Sequence, residues 1–336
     1  MNIMEFAKIA GVSRSAVSRY FNDGYLSGEK RKKIEDAIEK TGYSPSVSAR
    51  NVSRRVTKLV GVILPKLSSE SCARVTEGIS EVLDKEGYKI LLVNTANDSK
   101  RETEALELFR TNRVDGVILL ATVFSDIHKA VLNKMRVPVI IVGQHLKGFS
   151  CITHNDKGAA FALTKLMLDK GAKRPAMIAV TRDDVSAGAE RLEGYKRALK
   201  DVGVEFDKKY VEYAEFTMES GYKAAKRLLL KEPRPDCILC ATDNIAAGAA
   251  LYCRSEGIKI PEDLMICGVG NSKMGRAAYP SITSARLHYK TAGAEAATML
   301  LSAVKHRDSI QRTLELDYDI VERESTGGKC EIDFSD

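Results

Sequence analysis

Residues 10–22, AGVSRSAVSRYFN, decide how the front of this chain folds. Gly11 stands where a left-handed turn residue is needed, Val12 is an apolar plug beneath it, and the Ser13 hydroxyl can cap a new helix. Ile3, Phe6, Ala7 and Ile9 recur at helical spacing before the turn, and Val17, Tyr20 and Phe21 after it. Small Ala7 and Gly11 are expected to let the two helices cross closely. The second helix then carries Arg14, Ser15, Ser18 and Arg19 at or near its exposed start, a set suited to phosphates and base edges. Taken alone, the pattern also suits a helical hairpin whose arginines only solvate an outer face.

A third amphipathic segment, Ser27 to Thr41, turns Ile34, Ala37 and Ile38 inward and Lys30, Arg31, Lys32 and Lys33 outward. Three short helices can bury one small core. After Gly42-Tyr43-Ser44-Pro45, residues 46–56 form a polar stretch with Arg50, Arg54 and Arg55, read as a hinge that orders on DNA. Residues 1–58 hold twelve Lys plus Arg against six Asp plus Glu, whereas the rest of the chain holds forty against thirty-nine. Clustered charge releases counterions from nucleic acid; an evenly mixed surface only keeps a domain in solution.

With 336 residues, the chain is long enough for two α/β lobes behind this front module. Short apolar runs at 59–64, 89–93, 116–120 and 138–142 alternate with amphipathic stretches at 70–86, 100–111 and 125–135, and the rhythm restarts at 176–180, 211–213, 237–241 and 265–269. Apolar strands alternating with helices predict two doubly wound parallel sheets, each covered on both faces. A cleft between the lobes, beyond the strand carboxyl ends, is where a small polar molecule would sit.

These motifs resemble the lactose repressor (LacI) family of bacterial transcription regulators. AGVS, VSR, the GYSPS turn and SAR carry the likeness from Asn2 to Gly61. Five ordered landmarks carry it onward: VDGV at 114–117, RLEGY at 191–195, ATD at 241–243, IPED at 260–263 and EREST at 322–326. The implied organisation is a helix-turn-helix DNA-binding domain at 1–45, a hinge at 46–58, a two-lobed effector-binding and dimerisation core at 59–326, akin to periplasmic sugar-binding proteins, and a tail at 327–336. By the same resemblance Arg14 and Ser15 match the base-reading pair, Arg19 a base- or phosphate-contacting arginine, and Asn22 the close of that helix. Val52 matches a leucine that wedges into the minor groove; a shorter wedge fills less of an opened step, and packing between paired hinge helices is the alternative.

In the core, the resemblance assigns Arg191 to sugar hydroxyls, Thr242 and Asp243 to the pair that accepts from them, Phe216 to stacking on the sugar and Tyr289 to the wall. A guanidinium, a carboxylate and an aromatic face suit a pyranose on chemical grounds as well. Asp243 is also expected to cap a helix, and Arg191 to follow a loop, 183–188, that opens onto the cleft. Asn271 stands where many members have an acid, and Gln144 and His145 where the lactose-sensing member has one, so fewer acids favour an anionic effector. Lys66, with Ser68 and Ser69 near a helix start, makes a phosphate cradle. This placement is similar to the sucrose-operon and trehalose-phosphate-sensing branches of the family, and favours a sugar phosphate such as sucrose 6-phosphate over a free sugar.

The expectation is therefore a transcription regulator, acting as repressor of a carbohydrate-use operon, that binds pseudo-palindromic operator DNA as a homodimer. A non-catalytic sugar-binding protein and a cytosolic α/β sugar enzyme are the rivals. No nucleophile motif, phosphate loop or dinucleotide fingerprint supports catalysis or a cofactor. His145, His154 and His288 are too sparse for a metal, and read as cleft wall or core histidines. The seven cysteines are odd in number and scattered, as free thiols are, with Cys237 and Cys240 expected on opposite faces of one strand. No apolar run long enough to span a membrane and no export leader is present, so the cytoplasm is the expected location.

Overall fold

The computed structural model describes residues 1–21, 24–43, 56–306 and 310–329. Two units arise, Met1–Lys58 and Leu59–Asp336. Asn22, Arg50, Val52 and most of the expected hinge lie outside the described residues.

The first unit contains α1 (Ile3–Ile9), α2 (Arg14–Tyr20) and α3 (Gly28–Thr41). Asn2 starts α1 through a capping box: its side chain accepts from Met4 and Glu5 N–H, while Glu5 accepts from the Asn2 N–H at 2.9 Å. Gly11 has φ +62°, and Ser13 Oγ accepts from Ala16 N–H at 3.2 Å, so turn and cap form as the sequence predicts. Phe6, Val17 and Ile34 meet in a fully buried core, where Phe6 stacks on Tyr43 with ring centroids 4.2 Å apart. Two expectations need correction. Ile9 lies off the core face and is exposed, and a Cβ on Gly11 would meet nothing within 4 Å, so that glycine serves the turn rather than a close helix crossing.

The second unit holds two six-stranded sheets of matching plan. In the first lobe the order is β11 (Thr313–Leu316), β5 (Ser150–His154), β4 (Val139–Val142), β3 (Gly116–Leu120), β1 (Leu59–Leu64), β2 (Lys89–Asn94). In the second it is β12 (Tyr318–Val321), β10 (Thr283–Leu287), β9 (Met265–Val269), β8 (Cys237–Cys240), β6 (Pro175–Ala179), β7 (Val211–Tyr213). All neighbours pair in parallel except β10 with β12. Branched and apolar side chains fill both faces of the central strands: Val60 and Val62 enter one cluster and Ile63 the other, as Ile238 and Leu239 do in the second lobe. Cys237 and Cys240 follow that alternation onto opposite faces, both fully buried. The outer strand β2 departs from the expectation of a strand covered throughout, since Leu91 and Leu92 are exposed at the sheet edge.

The first lobe packs α4 (Glu70–Lys85), α5 (Ser99–Thr111), α6 (Asp126–Leu132) and α12 (Tyr289–His306) against its sheet. The second uses α7 (Asp156–Asp169), α8 (Arg191–Asp201), α9 (Met218–Leu229), α10 (Asp243–Ser255) and the short α11 (Lys273–Ala277). Helices α4 and α12 meet backbone to backbone: a Cβ on Gly78 would fall 1.9 Å from the Lys290 carbonyl oxygen, and one on Gly293 equally close to that of Val75. The chain passes between lobes after β5, after β10 and between β11 and β12. At these crossovers Asn155 donates to Asp317 at 3.3 Å, and His288 Nε2 lies 3.6 Å from Asp319.

Candidate functional site

On the first unit, capping by Ser13 sets where α2 begins and therefore which side chains its first turn presents. Arg14, Ser15 and Arg19 are exposed, and Ser18 is half-buried. Ser15 Oγ stands 2.9 Å from Ser13 Oγ, tying it to the cap. Arg19 packs its stem against Gly24, where a Cβ would come within 3.1 Å of the arginine's own Cβ. An exposed pair of arginines on a short helix behind a tight turn can reach phosphates and base edges.

In the second unit, a cavity of about 260 Å³ lies between the lobes, at the carboxyl ends of the strands. Of the residues nominated from sequence, Lys66, Gln144, Arg191, Phe216, Thr242, Asp243 and Tyr289 line it. His145 and Asn271 do not. His145 points to solvent, and Asn271 is buried below the wall, where its Oδ1 accepts from Arg323 at 2.6 Å.

Asp243 takes a different part from the one its sequence position suggests. Thr242 rather than Asp243 caps α10, accepting from Ile245 N–H, and both Asp243 oxygens are engaged inside the second lobe: Oδ1 by the Ser284 hydroxyl at 2.6 Å and Oδ2 by Ser272 N–H at 2.5 Å. Its carboxylate ties the ends of β8, β9 and β10 together. Burial pushes its pKa up, and the two donors oppose that shift.

Arg191 is buried rather than solvated. Its Nε and Nη2 bind Asp156 Oδ1 at 2.7 and 2.6 Å, and Nη1 donates to the Ala241 carbonyl. The segment before it is not an open loop but a π-helical turn, Val185–Glu190, that runs directly into α8. Gly188 permits this turn to lie on the chain after β6, since a Cβ there would fall 1.9 Å from the Thr181 carbonyl oxygen.

Three acids of the cavity wall escaped sequence reasoning: Glu70, Asp156 and Asp184. Asp156 opens α7 just after β5, and Glu70 opens α4, where it accepts from the Lys273 N–H at 3.0 Å. Asp184 caps the π-helical turn through Ala187 N–H at 3.0 Å and accepts from Gln144 Nε2, across the cleft, also at 3.0 Å. Beside it, Ser186 Oγ donates to the Gly143 carbonyl at 2.6 Å. An acid at a helix start following a strand is a usable signal for Asp156; nothing local marks Asp184.

His154 joins the wall and packs edge-on against Tyr289, with burial lowering its pKa so that the ring is neutral at physiological pH. In the same lobe Lys66 is half-buried; its carbonyl accepts from Ser69 N–H at 3.1 Å, and its ammonium makes no ion pair or hydrogen bond among the described residues. Ser69 beside it caps α4, with Cys72 N–H 3.5 Å from its hydroxyl. The cavity therefore offers a cation, a helix start with Glu70, and the His154 and Tyr289 rings from one lobe, and buried acids, a paired arginine and Phe216 from the other.

Comparison with known proteins agrees with both units. Residues 2–46 match the model for bacterial regulatory proteins of the lacI family, and residues 164–326 that for the periplasmic binding protein-like domain. The sucrose operon repressor of Staphylococcus xylosus is 32% identical over 313 residues, covering 93% of this chain and 97% of the relative. Among solved structures, the transcriptional regulator CelR in complex with cellobiose aligns with a TM-score of 0.76 at 27% identity, over 97% of this chain and 99% of that one. The Lac repressor dimer bound to operator shares the fold, with a TM-score of 0.85 at 19% identity over the same shares. These matches span nearly the whole chain on both sides, and the chain belongs to the lacI family of bacterial regulatory proteins, which makes it a DNA-binding transcriptional regulator.

Proposed function

We propose that this regulator is a repressor of a carbohydrate-use operon whose effector is a phosphorylated sugar held in the interlobe cavity, sucrose 6-phosphate being the favoured candidate. The observation that carries this reading is Lys66: a half-buried ammonium without a protein partner among the described residues, at the mouth of a sugar-sized cavity and beside the start of α4. A dianionic phosphate gains there from the ammonium, the Ser68 and Ser69 hydroxyls and the helix start, while Phe216 offers a face to the ring. The similarity to a sucrose operon repressor supports the choice of sugar.

In this reading two copies place Arg14, Ser15, Ser18 and Arg19 on the half-sites of a pseudo-palindromic operator, with Asn22, Arg50 and Val52 in the adjoining contacts. The effector changes operator affinity only by its differential affinity for two lobe arrangements. Coupling of about 1 to 3 kcal/mol changes that affinity by roughly five- to 150-fold.

Calorimetric titration of sucrose 6-phosphate and sucrose into wild type and Lys66→Ala tests the proposal. Wild type is expected to prefer the phosphate by about tenfold or more, in line with a charge-assisted contact, and the variant to lose that preference. Equal affinities in all four combinations would remove the phosphate cradle.

A further inference from the structure

We infer that Asp184 determines which sugar this cavity accepts, by taking a hydrogen bond from one effector hydroxyl on Oδ2 while Oδ1 holds the two lobes together. The inference rests on the sugar reading above and assigns a residue that neither composition nor motif singles out. Of the acids in the wall, Asp243 has both oxygens engaged by donors of its own lobe, Glu70 is bound by a backbone N–H, and Asp156 is neutralised by Arg191. Asp184 differs from Asp243 and Glu70 in that both of its side-chain hydrogen bonds, from Gln144 Nε2 and Ala187 N–H, fall on Oδ1 while Oδ2 makes none among the described residues, and from Asp156, whose contacts also fall on one oxygen, in that its partners carry no charge.

The residue keeps only 7% exposure and lines the cavity. An oxygen that faces the cavity gives up its solvent when a sugar enters, and a ligand hydroxyl offsets that cost. Its two present partners are neutral, so its acceptor strength is not consumed by an ion pair.

The position also links recognition to shape. Gln144 follows β4 in the first lobe and Asp184 follows β6 in the second, and the Ser186 to Gly143 hydrogen bond lies beside them. A hydroxyl bound on Oδ2 therefore docks on the residue that bridges the cleft, and a sugar that lacks this hydroxyl, or presents it in the other configuration, leaves the bridge with an unpaired oxygen.

Asp184→Asn separates the two roles, because its amide oxygen can still accept from Gln144 and Ala187 while its NH2 replaces Oδ2 by a donor. Sucrose 6-phosphate and its monodeoxy derivatives are titrated into wild type and Asp184→Asn, with the ligand-free melting temperature as a control on the fold. The expected result is a loss of about tenfold to a hundredfold in affinity for sucrose 6-phosphate in the variant. One deoxy derivative is expected to bind wild type correspondingly worse, yet to bind the variant no worse than the parent sugar does. Unchanged affinity in Asp184→Asn overturns the inference, as does a deoxy series that falls in the same proportion in both proteins. If wild type binds neither sucrose 6-phosphate nor sucrose, the sugar reading itself fails, and this inference falls with it.

Discussion

The two lobes share a strand plan yet handle a buried carboxylate in opposite ways. In the first, Glu102 on α5 lies 3.3 Å from His128 Nε2, both almost fully buried, in a geometry that makes no hydrogen bond. In the second, Asp156 meets the Arg191 guanidinium through two contacts to one oxygen. Burial pushes Glu102 up to about 7 and lowers His128, so that pair tends to neutrality, whereas a guanidinium cannot give up its proton and Asp156 faces a permanent charge. The partner, more than depth below the surface, sets what a buried acid does. Lobes of equal plan can therefore hold a buried acid neutral in one place and charged in another.

The largest test of this contrast removes the second lobe's cation. Arg191→Ala leaves Asp156 buried without its counter-charge and is expected to lower unfolding free energy by about 3 to 5 kcal/mol, read by urea denaturation. A loss under 1 kcal/mol would mean that the pair is solvated and the contrast false.

The complementary change in the first lobe has the opposite sign. Because the folded pKa of Glu102 is raised to about 7 from its ordinary 4.5, its stabilising contribution is complete below about 4.5 and is lost as pH climbs through 7. Glu102→Gln imitates the protonated acid at every pH. It is expected to be more stable than wild type by about 1 to 3 kcal/mol at pH 8 and to match it at pH 4, and a gain independent of pH would exclude titration of this carboxyl as the cause.

The smallest effect concerns a feature the lobes have in common. Ser69 caps α4 and Thr242 caps α10, each through a long contact to the third residue of its helix. Ser69→Ala and Thr242→Ala should each cost about 1 kcal/mol, and a clear inequality between their melting shifts would show that the matching plan does not extend to the helix starts.

Much of this was legible in the sequence, for identifiable reasons. The run LVGVIL gives β1 its bounds because each residue is apolar and flanked by polar ones, and Gly11 marks the turn because only the left-handed region closes it. Strands β5 and β10 escaped the same reading. Thr283 and Ser284 are fully buried polar residues whose hydroxyls are satisfied by Arg323, Thr326 and Asp243, so their segment shows no apolar run. The edge strands β11 and β12 are half-exposed and equally quiet. In the site, Thr242 and Asp243 at the end of β8 and Arg191 at the start of α8 were readable because motifs mark them. Asp156 and Asp184 were not, because their meaning depends on Arg191 and Gln144, 35 and 40 positions away along the chain.

The glycine notch between α4 and α12 bears on how a bound sugar is felt. Two helices seated that closely, with Lys290 and Val75 carbonyls where side chains would otherwise stand, cannot slide along one another without collision. The notch thus fixes α4 against α12 within the first lobe, which the chain joins to the second through three passages near Asn155, His288 and Asp317. If an effector tilts one lobe against the other about those passages, stiffening them is expected to mute the response while leaving ligand affinity intact.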